Sequence, residues 1–382
     1  MVGVWFGRSN PEKVQKPAGS RPGLSKPVSW EDGGSVPEKR GPDLSAEEEK
    51  PSIHPPDPAL RAELNALRQQ LKQKPDRETV LRWLREFMAR MLAADPDRAA
   101  ATLLQFLQSG EDGATGLEFA VGEAGLAEWP SLRAFLLDLL GKIDPELASR
   151  YALEAVIPAK TSTVEYAVSL QILWNHGGAE KPTPELTQAW LGLLQKPDWL
   201  ARPDAAWVES LDFASRIPEA TPQFLAAATP WLARPGEAAG KAEAAEMALE
   251  RMMIRHPEET LAGLLQNPQW MDEGRGPAVR ATVFARVDAT DPGQVSSLKT
   301  YLQSLPADGK EAAAYYRAFP WHNYGVAPGL SGQPDLPGAG ELEERLRADL
   351  AMLEAWRSDP AMVSHRAWVE EALKRVRATL GP

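Results

Sequence analysis

Apolar residues recur every three or four positions through most of the chain after residue 58. This spacing places them on one face of an α-helix, which completes a turn about every 3.6 residues. One such face comprises Leu186, Trp190, Leu193 and Leu194, and another comprises Leu132, Leu136, Leu139, Leu140 and Ile143. The pattern predicts an all-α protein in which amphipathic helices follow one another.

Prolines mark the predicted starts of every second helix. Pro145, Pro184, Pro218, Pro257 and Pro292 are separated by 39, 34, 39 and 35 residues, and the first four are each followed by glutamate. Proline fits the first helical position, where its missing N–H loses no hydrogen bond, and an acid in the first turn complements the helix dipole. An earlier copy begins at Pro96. The residues expected to cap these helices are Asp95, Asp144, Thr183 and Asp291.

Two stretches of sequence resemble each other. Residues 190–199 and 261–270 share Gly-Leu-Leu-Gln followed by Pro and Trp, at an offset of 71 residues. Self-similarity at such intervals is typical of helical repeats. We therefore predict a right-handed-type α-solenoid of stacked helix pairs over residues 76–320, with a period of about 34–39 residues. An irregular helical bundle with chance similarity is the alternative.

In period and helix pairing, this arrangement resembles helical-repeat proteins of the HEAT and tetratricopeptide kind. Their consensus residues are not found at the proper spacing, so no individual family is indicated. The resemblance implies an extended binding surface, and it assigns no functional residue.

The remaining segments have compositions of their own. Residues 1–58 are rich in Pro, Gly, Ser and charged residues, cannot bury enough apolar surface to offset chain entropy, and are predicted to be disordered. Residues 59–75 form a short helix whose heptad-like leucines either dock on the first repeat or self-associate. A Gly-rich insertion occupies 110–130, an aromatic loop and Gly/Pro linker occupy 321–340, and a C-terminal helical pair occupies 341–381.

Two finer expectations concern single residues near helix ends. Gly177 follows His176 at the end of a predicted helix and is expected in the left-handed cap conformation. Val363 belongs to the apolar face of the last helix and is expected to point inward.

Composition excludes several classes of function. A net charge of −11 disfavours nucleic acid as a partner, because binding it needs a basic face. The chain has no cysteine and therefore no disulfide, thiolate nucleophile or Cys-ligated metal. The five histidines lie in separate segments without metal-ligand spacing, so we expect neither a metal nor another cofactor.

The N-terminal residues leave the compartment open. Val2 to Phe6 are apolar and Arg8 follows, which is typical of a membrane helix meeting a polar flank. One hypothesis is that the natural chain starts upstream of Met1 with an anchor, so that the protein is membrane-anchored or periplasmic. The alternative is a solvated N-terminus on a cytoplasmic protein.

Two segments are candidates for partner contact. A loop inserted in a repeat often lies on the binding face, and the acids of the Gly-rich insertion are Glu111, Asp112 and Glu118. Aromatic side chains with polar tips suit interfaces, and the densest aromatic cluster includes Trp321, His322, Asn323 and Tyr324. This cluster forms either a recognition loop or a loop that folds back onto the last repeat.

These observations favour a non-catalytic protein–protein interaction scaffold whose partner is another protein or a peptide. A first alternative is a membrane-tethered or exported repeat scaffold whose N-terminal anchor is truncated at Met1. A second alternative is a helical-domain enzyme with a pocket near Trp321–Tyr324, since distant residues can assemble a catalytic site without a local motif.

Overall fold

The computed structural model describes residues 55–122, 125–159, 162–178, 181–234, 240–267, 269–320, 329–332 and 339–381. The protein is mostly helical, as predicted. None of the helices in these ranges is long and apolar enough to cross a membrane. The predicted tail, residues 1–58, lies almost entirely outside the described residues.

The α-helices of the N-terminal half are α1 (Pro58–Leu71), α2 (Arg77–Ala93), α3 (Pro96–Gln108), α4 (Leu132–Ile143), α5 (Pro145–Tyr151), α6 (Thr163–Leu173), α7 (Pro184–Leu193), α8 (Pro197–Ala201) and α9 (Ala205–Ser210). Those of the C-terminal half are α10 (Thr221–Ala233), α11 (Lys241–Arg255), α12 (Pro257–Gln266), α13 (Gly276–Phe284), α14 (Pro292–Ser304), α15 (Lys310–Ala318), α16 (Ala339–Ser358) and α17 (Arg366–Leu380). Turns of 3₁₀-helix cover Leu211–Arg216, Pro218–Ala220 and Pro360–His365, and π-helical turns cover Ala152–Val156 and Trp174–Gly178.

The proline start signals are confirmed. Helices α3, α5, α7, α12 and α14 begin at the expected prolines, and Pro218 begins a 3₁₀ turn that leads into α10. The expected caps accept backbone N–H groups of the first turn, at 3.0 Å for Asp95, 2.9 Å for Asp144, 3.2 Å for Thr183 and 2.7 Å for Asp291. Each cap satisfies a donor that the helix itself leaves unpaired.

The two expectations about helix ends were wrong. Gly177 lies in the π-helical turn Trp174–Gly178, and its φ is not in the left-handed region, because the wider turn continues α6 without a left-handed cap. Val363 is 59% exposed. Residues Pro360–His365 form a 3₁₀ turn, whose period of about three residues turns Met362 and His365 inward instead.

The resembling stretches 190–199 and 261–270 each place a glycine close to an earlier helix. Leu193 and Leu264 are both buried. A Cβ atom on Gly192 would lie 3.1 Å from the Tyr166 hydroxyl oxygen of α6, and one on Gly263 would lie 2.8 Å from Leu225 of α10. The shared residues are therefore explained by two helices that each approach an earlier helix closely.

Most helices pack on neighbours close in sequence. Contacts join α1 to α2 and α3, α3 to α4, α4 to α5 and α6, α6 to α7 and α9, and α10 to α11 and α12. Further along, α11 contacts α12 and α13, α12 contacts α14, α13 contacts α15, and α16 contacts α17. Leu60, Leu64, Leu67 and Leu71 of α1 are buried, so the heptad-like face is used within the chain.

Helix α6 joins two hydrophobic clusters. Val168 and Ile172 belong to the cluster formed with α1 to α5, whereas Tyr166 and Leu170 belong to the cluster that extends to α17. Every residue of α6 except Val164 is buried. A helix that is buried all round lies in the interior of a fold, so α6 is the central element between the two clusters.

The Gly-rich insertion contains the one strand pair that the described residues include, which the sequence did not predict. Strands β1 (Ala120–Gly122) and β2 (Gly125–Glu128) form an antiparallel hairpin. The hydroxyl group of Thr115 donates to the carbonyl oxygen of Trp129 and accepts from the N–H of Leu117 at 3.1 Å. These bonds tie the start of the insertion to its end.

The C-terminal helices attach to α14 and α15. The indole N–H of Trp368 donates to the carbonyl oxygen of Ala307 at 2.8 Å, and its ring stacks on Tyr316 at 5.6 Å. The ammonium of Lys299 lies 2.5 Å from the Asp359 carboxylate.

Helix α16 places one acid in this interface. Asp349 is 8% exposed, and burial raises the pKa of its carboxyl to about 8. The nearby Asp288 carboxylate acts in the same direction, and the Arg345 guanidinium opposes it. The phenol of Tyr315 also interacts with Asp349. The folded protein therefore favours the neutral acid.

Replacing Asp144 by alanine removes the cap of α5. We expect a loss of about 1 kcal/mol of local stability, so the amides of residues 146–151 should exchange with deuterium about five times faster. Glu146→Gln changes an exposed residue on the same helix and should have less than half this effect. Equal exchange rates in both variants would contradict the capping role.

Replacing Asp349 by asparagine should stabilise the protein in a pH-dependent way. The folded pKa is raised, so the aspartate contributes stability below its unfolded pKa and loses it as pH rises toward about 8. The loss amounts to about 1.4 kcal/mol per pH unit inside this window. The melting temperature of Asp349→Asn relative to wild type should therefore rise from pH 5 to pH 8 and then level off. A difference independent of pH would contradict the buried neutral acid.

Candidate binding site

The acids predicted for partner contact serve different roles. Glu111 forms an ion pair with Arg68 of α1. Asp112 accepts the backbone N–H of Arg133 at 2.9 Å, at the start of α4. Both residues therefore hold the insertion against neighbouring helices, whereas the side chain of Glu118 is exposed. The structure does not bring these acids into one cluster with a buried pocket.

The aromatic candidates Trp321, His322, Asn323 and Tyr324 lie outside the described residues. The residues on either side of them are described as far as Pro320 and again from Gly329. The turn Gly329–Gly332 that follows them contacts a buried group of charged side chains, and this group is the strongest candidate for a functional site.

The centre of this group is the carboxylate of Asp212. Its side chain is fully buried, and the guanidinium groups of Arg251 and Arg255 lie 3.2 and 3.4 Å away with exposures of only 3% and 6%. Burial raises the pKa of the neighbouring Glu209, an effect that Arg251 opposes and Asp212 reinforces. Buried charges are costly unless they are paired, so this cluster needs a specific explanation.

Local geometry brings these side chains together. Arg251 and Arg255 are four residues apart on α11 and therefore share one face of that helix. Asp212 and Ser215 are three residues apart in the 3₁₀ turn Leu211–Arg216, where such residues align. Ser215 Oγ donates to the carbonyl oxygen of Asp212 at 2.7 Å. The guanidinium of Arg216 lies over the Trp174 ring, 5.0 Å from its centre.

The turn Gly329–Gly332 inserts its polar atoms into this cluster. The N–H and hydroxyl groups of Ser331 both donate to Asp212 Oδ2, at 2.8 and 2.5 Å. Arg216 donates to the Ser331 carbonyl oxygen at 3.0 Å, and Arg255 donates to the Gly332 carbonyl oxygen at 3.1 Å. Both guanidinium groups also donate to Ser331 Oγ, each at 3.1 Å. We call Asp212, Arg216, Arg251 and Arg255 the turn socket.

The remaining residues of the turn fit the surrounding side chains through their shape. Leu330 is 1% exposed and belongs to the larger hydrophobic cluster. A Cβ atom on Gly329 would lie 2.3 Å from the Asp212 carboxylate, which is too close for any side chain. Within the turn, the Gly332 N–H donates to the Gly329 carbonyl oxygen at 3.0 Å. The socket therefore fits a glycine, a leucine and a serine at successive positions of the turn.

This arrangement has the chemistry of peptide recognition. One carboxylate accepts a main-chain N–H and a hydroxyl, and two guanidinium groups donate to successive carbonyl oxygens. Hydrogen bonds that involve an ionised partner are stronger than neutral ones. The segment that is bound lies 119 residues from Asp212 in sequence.

A second concave surface lies at the other end of α11. It encloses about 760 Å³ and is lined by Thr229, Pro230, Trp231, Ala233, Arg234, Lys241, Gln269, Met271, Asp272 and Glu273. Lys241 Nζ donates to the carbonyl oxygen of Leu200 at 2.9 Å, and the ring of Trp231 packs edge-on against Trp207 at 5.5 Å. The volume is that of a ligand site, but no group of lining side chains converges on a common point as in the turn socket.

Comparison of the chain with protein-family models, with curated proteins and with solved structures found no match. The resemblance to HEAT and tetratricopeptide proteins therefore stays a prediction.

Sequence reasoning missed the turn socket. A weak signal was present, because Glu250 and Arg251 lie between Leu249 and Met252, and Asp212 lies between Leu211 and Phe213. A charge among apolar residues is uncommon in a core unless it is paired. The pattern indicates that a charge lies near the core, but it does not distinguish Arg251 from Glu250 or identify the partners.

Asp212→Asn leaves two buried guanidinium groups without their carboxylate. We expect a loss of about 3 kcal/mol, seen as a fall of at least about 5 °C in the melting temperature. Glu354→Gln, which removes an exposed pair with Arg377, is the matched control and should change the melting temperature by about 1 °C at most. Similar shifts in the two variants would show that the socket is no more important than a surface pair.

Proposed function

We propose that this protein is a non-catalytic protein–protein interaction scaffold that binds short peptide turns through the turn socket. The observation that carries the proposal is the recognition of Ser331 by Asp212 and of the adjoining carbonyl oxygens by Arg216 and Arg255. All six hydrogen bonds between the socket and the turn are to main-chain atoms or to a hydroxyl group, which a peptide from another molecule can supply equally well.

The helical architecture supports the same proposal. We infer that the helix pairs stack as an α-solenoid, because most helices contact near neighbours in sequence and the resembling stretches 190–199 and 261–270 each place a glycine close to an earlier helix. Solenoids present extended surfaces that bind other proteins. The socket lies where the 3₁₀ turn Leu211–Arg216 meets α11, and these two elements contact each other extensively.

The alternatives rest on residues that the structure does not describe. The enzyme alternative places a pocket near Trp321–Tyr324, and the anchored-scaffold alternative depends on the segment around Val2 to Phe6. Neither segment lies within the described ranges. The contacts in the turn socket support a binding function over the enzyme alternative, and they are equally compatible with an anchored scaffold.

The test uses the full chain carrying Gly329→Ala. A methyl group at this position would meet the Asp212 carboxylate, so the turn should leave the socket while the socket residues stay unchanged. A labelled peptide with the sequence of residues 326–335 should then bind saturably, as measured by fluorescence anisotropy. The same peptide with Ser331→Ala should bind about tenfold more weakly, because Asp212 loses a hydrogen bond.

Two controls make the result decisive. Gly340→Ala adds a methyl group that would contact nothing, so this chain should keep its own turn in the socket and bind the peptide much more weakly. Circular dichroism should show the same helical content in both chains. A folded Gly329→Ala chain that binds neither peptide, or both alike, would overturn the proposed function.

A further inference from the structure

The chain contains a second copy of the residues that the turn socket recognises. Pro328-Gly329-Leu330-Ser331 is repeated in the N-terminal segment as Pro22-Gly23-Leu24-Ser25. Both stretches are rich in proline and glycine. The last three residues of the copy correspond to Gly329, Leu330 and Ser331, which contact the socket through their shape and hydrogen bonds.

We propose that the Pro22–Ser25 segment of a second copy of this chain is an alternative ligand of the turn socket. The inference rests on the proposed peptide-binding function and names its partner. In exchange with the resident turn, Gly23 takes the place of Gly329 beside Asp212, where no side chain fits. Leu24 enters the apolar site that buries Leu330, and Ser25 donates its N–H and hydroxyl groups to Asp212 as Ser331 does.

The residue that follows the serine determines which of the two segments binds the socket more tightly. Gly332 has a φ of 99°, a conformation that side chains rarely adopt, and a Cβ atom there would lie 3.8 Å from Nη2 of Arg216. The corresponding residue of the N-terminal segment is Lys26. Lysine is strained at this φ, and its ammonium is repelled by Arg216 and Arg255. The N-terminal segment is therefore the weaker ligand, and it occupies the socket when the resident turn is absent.

The peptide test uses the full chain with both Gly23→Ala and Gly329→Ala, so that its own two motifs are disabled while the socket is intact. A labelled peptide of residues 19–28 should bind saturably and should be displaced by unlabelled peptide 326–335. Gly23→Ala in the peptide should abolish binding, because its methyl group meets Asp212. Lys26→Gly should strengthen binding about tenfold or less, as expected for relief of one strained residue.

Light scattering tests whether the ligand comes from a second copy of the chain. The Gly329→Ala chain should self-associate as its concentration rises, and the Gly23→Ala/Gly329→Ala chain should stay monomeric under the same conditions. Circular dichroism and melting temperature should be equal in the two chains, which excludes unfolding as the cause of any difference.

The outcomes separate the two proposals. Binding of peptide 326–335 without binding of peptide 19–28 overturns this inference and leaves the proposed function standing. Failure of both peptides on a folded chain overturns both proposals. Binding of peptide 19–28 to a Gly329→Ala chain that stays monomeric at every concentration overturns the assignment of the ligand to a second copy.

Discussion

A carboxylate removed from water needs compensating charge or hydrogen bonds wherever it is placed, and Asp212 meets this need with partners from two other parts of the chain. Arg251 and Arg255 come from α11, and Ser331 comes from a turn that follows α15. The cost of an unpaired buried charge is several kcal/mol. Any rearrangement that separates these parts must bear that cost, so the pairing fixes the position of the turn relative to α11.

Pairs of arginine and carboxylate recur between neighbouring helices elsewhere in the protein. Arg133 of α4 pairs with Glu165 of α6 at 3.1 Å, and Arg280 of α13 pairs with Glu311 of α15 at 2.7 Å. The helices they join are short, and short helices are marginal without tertiary contacts. The planar guanidinium forms hydrogen bonds with a defined orientation. These pairs therefore fix the relative position of two helices whose apolar contacts alone would allow them to slide. In the turn socket, arginine and carboxylate groups hold the turn Gly329–Gly332 against α11.

Local chemistry explains what was predictable from the sequence. A proline with a capping acid determines a helix start within four residues, and Asp95 and Asp144 act as expected. The turn socket depends instead on contacts between residues more than a hundred positions apart, and no local pattern specifies these. The Gly-rich insertion lies between these cases, since its glycines predicted a loop whereas the hairpin depends on the bonds of Thr115. Partner contact at Glu111, Asp112 and Glu118 stays a prediction.

The complete burial of α6 has a consequence for how such a chain can change in evolution. A helix that keeps an exposed face can accept a new neighbour there, and helix pairs near it can be gained or lost at the expense of that surface. Helix α6 contributes side chains to both hydrophobic clusters and leaves almost nothing exposed. Duplication or deletion of helix pairs is therefore tolerated best far from α6, and the sequence from α4 to α7 should be the slowest to diverge.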